Sequence, residues 1–103
     1  MVSKSVTATV GDRVTLPCRT TLPTPVDWYY RRSENERGDV ICLAGNCVNG
    51  YSGRFVIDRS VQGEFSLIIQ SVRREDEGVY ICMEDAGLGT EHHVTLHVQN
   101  SKH

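Results

Sequence analysis

A chain of 103 residues with 39% hydrophobic content supplies one core, not two, so a single domain is expected. Its net charge of -2, with lysine and arginine interspersed among aspartate and glutamate, leaves no basic stripe and excludes a nucleic-acid partner. No apolar run of about 18 residues is present, so membrane attachment would need a segment outside this sequence.

Short runs rich in Val, Thr, Ile and Tyr, broken by Gly, Pro, Asn or Ser, predict an antiparallel sandwich with no helix. A first strand is expected at 5–10. After the turn at Gly11 and Asp12, a second at 13–19 points Val14, Leu16 and Cys18 inward. Residues 20–25 hold two prolines and form a loop. A third strand follows, with Val26, Trp28 and Tyr30 on one face and Asp27, Tyr29 and Arg31 on the other. A charged turn spans 33–38, a fourth strand 39–43, and a Gly- and Asn-punctuated stretch 46–53. Runs 54–59 and 64–71 make a hairpin around Gln62 and Gly63, with Phe55, Ile57, Phe65, Leu67 and Ile69 inward. Strand 79–84, a Gly-rich tip at 85–89, and strand 92–98 with Val94, Leu96 and Val98 on one side complete the series.

Four cysteines allow three pairings, which sequence alone leaves open. The spacing favours Cys18 with Cys82, which bracket Trp28, and Cys42 with Cys47, which sit on one short segment. Free or intermolecular Cys42 and Cys47 is the alternative. Bridges imply an oxidising, extracellular setting.

The ordered set Gly11-Asp12-Arg13-Val14-Thr15-Leu16-Pro17-Cys18, Trp28-Tyr29, Arg54-Phe55, Phe65-Ser66-Leu67-Ile68-Ile69 and Asp76-Glu77-Gly78-Val79-Tyr80-Ile81-Cys82 resembles V-set immune receptors over residues 5–98. The resemblance implies an all-β immunoglobulin-like sandwich of V type, with Greek-key sheets ABED and GFCC′C″. Residues 1–4 are then a leading edge and 99–103 a tail toward a stalk or next domain. Cys18, Cys82 and Trp28 would form its centre, Tyr80 would bond the E–F corner where Gly78 gives room, and Arg54 would pair with Asp76.

The same resemblance implies the ectodomain of a cell-surface receptor, secreted in an alternative form. It would bind a protein ligand, or an identical domain as a homodimer, through the G-F-C-C′ face and end loops. Strand alternation places Tyr29, Arg31, Ile81 and Met83 outward there, with Leu88 at the F–G tip, as an apolar patch edged by Arg31. Arg31 stands where antigen-receptor domains usually carry the glutamine of their pairing contact, and two facing Arg31 side chains repel unless acids such as Glu84 or Asp85 answer them. Gly87-Leu88-Gly89-Thr90 resembles a joining segment, but Ala86 replaces its aromatic and only Met83, Glu84 and Asp85 precede it, which points to a non-rearranging receptor. Alternative readings are an adhesion or structural module of a longer protein, and a secreted lectin-like domain for microbial surfaces.

Against these stands His92-His93 with His97 near Glu84, Asp85 and Glu91. On a helix His93 and His97 would share a metal; on a strand they lie about 13 Å apart and cannot. The expectation is a solvated strand face, no metal and no cofactor. No nucleophile elbow or phosphate loop occurs, and the cysteines are better used in bridges, so no catalysis is expected.

Overall fold

The computed structural model describes residues 2–20, 26–33, 35–48, 53–61 and 63–100. Nine strands are described: β1 (Val2–Thr9), β2 (Val14–Leu16), β3 (Asp27–Arg31), β4 (Asp39–Leu43), β5 (Asn46–Cys47), β6 (Phe55–Asp58), β7 (Ser66–Ile69), β8 (Gly78–Met83) and β9 (Glu91–Gln99). They form a six-stranded sheet in the order β1-β9-β8-β3-β4-β5 and a three-stranded sheet in the order β2-β7-β6. In sandwich lettering these are A-G-F-C-C′-C″ and B-E-D, the V-type architecture expected from the sequence. The expected loop at 21–25, residues 49–52 of the C″ stretch, residue 34 of the C–C′ turn, Gln62, Met1 and the tail residues 101–103 lie outside the described residues.

One strand departs from expectation. β1 does not join β2; it runs parallel to β9, with Val2 opposite His92 and Thr9 opposite Gln99. A strand crosses between packed sheets at a bend or bulge, and no glycine or proline interrupts Val2–Thr9 to provide one. Residues 2–4, set apart above as a leading edge, are therefore part of the sheet, and Gln99 of the expected tail is its last paired residue.

Alternation fills the space between the sheets. Leu16, Cys18, Trp28, Leu67, Ile69, Tyr80, Cys82, Val94 and Leu96 are buried in one cluster. Cys18 and Cys82 are joined across it. Trp28 packs in the same cluster and donates its indole N–H to the Phe65 carbonyl at 2.9 Å, satisfying the only polar atom of a side chain with no exposure. Ile68, on the far face of the central strand β7, is also buried, whereas Val56 beside it on the edge strand β6 is exposed.

The corner before β8 is tied by four hydroxyl and carboxylate contacts. Tyr80 Oη donates to the Asp76 carbonyl at 2.6 Å, and Tyr30 Oη donates to the Glu77 carbonyl at 2.6 Å. The buried Asp76 carboxylate accepts from Arg54 Nη2 at 2.7 Å and from the Arg73 backbone N–H at 2.8 Å. Gly78 has φ +151°, and a Cβ there would stand 2.6 Å from the Arg31 carbonyl and 2.7 Å from the Tyr30 ring. Only glycine lets β8 start this close to β3.

Candidate binding face and end loops

Register defines the outer face of the larger sheet. Ser3, His93, Ile81, Tyr29 and Val40 form one lateral row across β1, β9, β8, β3 and β4. Toward the loop end, Asp27, Met83 and Glu91 form the next row; away from it lie Arg31, Val79 and Thr95. Tyr29, Arg31 and Met83 are half-buried, as expected for side chains that lie on a sheet and still reach solvent. The Arg31 stem rests near Gly38, where an added Cβ would be 3.5 Å from Arg31 Cγ.

Ile81 corrects the sequence reading. It points to this face but has 0% exposure, so it contributes nothing to a contact surface. β8 is flanked on both sides, and Tyr29 and His93, directly opposite Ile81 on the two neighbouring strands, close over it. Alternation gives the direction of a side chain; it does not give the size of its neighbours.

Beyond Met83 the chain makes a short F–G loop with a single 3₁₀ turn at Asp85–Gly87. Glu84 fastens it by both backbone and side chain. Its carbonyl accepts from Gly87 N at 3.0 Å and Gly89 N at 3.1 Å, and its N–H donates to the Thr90 carbonyl at 3.2 Å. Its carboxylate turns inward, accepting from the Thr20 hydroxyl through Oε1 and meeting His92 Nε2 at 2.6 Å through Oε2. Burial pushes the Glu84 carboxyl up, but the Thr20 hydroxyl and His92 outweigh it and hold the group below the ordinary glutamate range. A carboxylate so engaged cannot answer Arg31 on the face.

The histidines are likewise not a solvated stripe. His92 serves Glu84, His93 is buried with Nε2 2.9 Å from Glu91 Oε1, and of the three histidines of β9 His97 alone is exposed. β9 is a strand throughout, and among the described residues no group of three His, Cys, Asp or Glu gathers as a metal site. The trio of buried Thr20 and Glu84 with part-buried His92 was missed by sequence reasoning; its three residues lie up to 72 positions apart, and no local pattern unites them.

The loop end also carries a feature with a local signal. β4 and β5 are joined by a two-residue turn, Ala44 with φ 49° and Gly45 with φ 83°, the double positive φ that matches the twist of a tight hairpin. Cys42 and Cys47 stand directly opposite each other above this turn and are bridged. The Ala44 N–H donates to Asp27 Oδ1 at 2.9 Å, tying the turn to the start of β3. Gly45 lies under the Arg59 guanidinium, 1.6 Å from where a Cβ would sit.

Two large apolar side chains project from these fastened loops: Leu88, 86% exposed, and Leu43, 45% exposed. Leu43 was not singled out above, although alternation from the inward Cys42 to a Gly-containing turn signals it. The arrangement places two exposed apolar side chains on a constrained backbone at the loop end, with Met83, Tyr29 and Arg31 in successive rows of the adjoining face.

Two comparisons bear on this fold. The family model of the immunoglobulin V-set domain matches residues 1–99. A curated relative, Ig kappa chain V region 3368 of Oryctolagus cuniculus, is 32% identical over 83 residues, which cover 79% of this chain and 74% of the relative.

Proposed function

Because this chain belongs to the V-set immunoglobulin family, a family of typically extracellular recognition domains, we propose that it is the ligand-reading ectodomain of an immune-type cell-surface receptor. It binds a protein partner through its end loops, with Leu88 and Leu43 as anchors and Met83, Tyr29 and Arg31 on the adjoining G-F-C-C′ face.

The observation that carries this reading is Leu88: 86% exposed, yet held on a loop whose backbone is fixed at both ends by Glu84. A buried leucine anchor gains apolar burial on binding, and a loop already held in place loses little further conformational freedom. The Cys42–Cys47 bridge and the Asp27 contact do the same for Leu43.

The test is a screen of the domain, attached through its C-terminal side, against a panel of recombinant cell-surface ectodomains. A partner whose binding Leu88→Asp abolishes and Val56→Asp, on the opposite sheet, leaves intact supports the proposal. A partner retained by Leu88→Asp and lost with Val56→Asp overturns it.

A further inference from the structure

Sheet edges present unpaired backbone N–H and C=O groups, and proteins protect them by shortness, proline, charged side chains or covering structure; the one charge on β1 is Lys4. Three edges here are protected in that way. β5 is two residues long and bridged to β4 at Cys47, β2 is three residues long and runs into Pro17, which has no N–H to donate, and β6 has four residues. β1 is different. It ends the larger sheet, runs for eight residues, and contains no glycine or proline.

We propose that the outer edge of β1 pairs antiparallel with β1 of a second copy of this chain, joining two six-stranded sheets into one. A two-fold axis perpendicular to the sheet keeps the same faces together, so the axis must pass through one residue of β1 and its equivalent. Centring it on Lys4 opposes two ammonium groups, which destabilises the pair. Centring it on Ser5 removes that conflict: Lys4 lies opposite Val6, Ser3 opposite Thr7, and Val2, 38% exposed, opposite Ala8. The outer-face positions then match hydroxyl to hydroxyl, a favourable cross-strand pair, and the exposed valine gains an apolar neighbour. Lys4 also lines an open cleft of about 340 Å³ together with Glu64, so an acid of its own chain shares its surroundings. Leu88 and Met83 lie outside β1, so the pairing uses none of the proposed ligand anchors.

The test is sedimentation of the wild-type domain across a concentration series, beside Ser5→Lys and Met83→Glu. Ser5 is exposed, and Ser5→Lys sets like charges opposite each other at the axis. The expected result is a wild-type dimer whose dissociation constant rises about fivefold or more in Ser5→Lys and is unchanged in Met83→Glu. Air-oxidised Ser5→Cys should run as a covalent dimer on a non-reducing gel, whereas Thr7→Cys, facing Ser3 rather than itself, should not. A monomer at every concentration overturns the proposal, as does a dimer that Ser5→Lys leaves intact.

Discussion

His92 Nε2 lies 2.6 Å from Glu84 Oε2, beneath a loop whose backbone the same glutamate holds. The packing beneath the F–G loop and the shape of the loop therefore share one residue, the first through its carboxylate and the second through its backbone. Glu84→Gln should cost about 1–3 kcal/mol at neutral pH, the usual loss when a buried acceptor is weakened. Because the folded carboxyl is held below its unfolded range, its contribution is complete above pH of about 4.3 and drains as pH falls further. Thermal unfolding at pH 7 and pH 3 should show the gap between wild type and Glu84→Gln closing in acid. An equal gap at both values would show that the shift is absent.

Tyr80→Phe removes one oxygen and leaves the Asp76 carbonyl without its 2.6 Å donor. A loss of about 1–3 kcal/mol is expected in denaturant unfolding, with an unchanged m-value. Near-zero loss would mean that water replaces the hydroxyl at the corner.

Two glycines separate backbone strain from collision. Gly11, with φ +93°, has open space where a Cβ would sit, so Gly11→Ala should cost about 1–2 kcal/mol from conformation alone. Gly78→Ala adds contact with the Arg31 carbonyl and the Tyr30 ring and should cost clearly more, or prevent folding. Parallel melts of the two variants decide it, and equal losses would refute the collision.

The two bridges close loops of different length, 64 and 5 residues in sequence separation. On chain entropy, replacing Cys42 and Cys47 by alanine should cost about 2 kcal/mol, and replacing Cys18 and Cys82 about 4 kcal/mol. The first variant should keep the fold and lower any affinity that depends on Leu43. Denaturant titration of both checks the order.

Ile81→Ala should behave as a core truncation, losing about 2–5 kcal/mol of stability. A loss below about 0.5 kcal/mol, as at a surface site, would restore Ile81 to the binding face.

The architecture was legible because its markers carry physical demands that few folds share: a tryptophan beside two inward cysteines, a tyrosine two residues before the second, and clean alternation in β9 from Val94 to Gln99. What escaped depends on lateral neighbours. Period-2 patterning sends Ile81 outward correctly, but its burial is decided by Tyr29 and His93 on other strands. The partnership of β1 with β9 rather than β2 turns on the absence of a bend, a weak signal in any sequence. The Thr20, Glu84 and His92 trio brings a residue beyond β2 to the F–G loop across 64 positions of sequence. Of the residues in the proposed binding surface, Tyr29, Arg31, Met83 and Leu88 follow from strand direction and loop position; Leu43 was overlooked because its segment was read for its cysteines.

The parallel course of β1 beside β9 gives the domain a polarity. Val2 lies opposite His92, at the loop end, while Gln99 leaves the sheet at the other. Anything fused before Val2 emerges next to the proposed ligand surface and would shade it, whereas attachment after Gln99 holds the loops outward. A sensor surface or reporter label joined at the front would thus hide the activity being sought, and one joined at the back would display it.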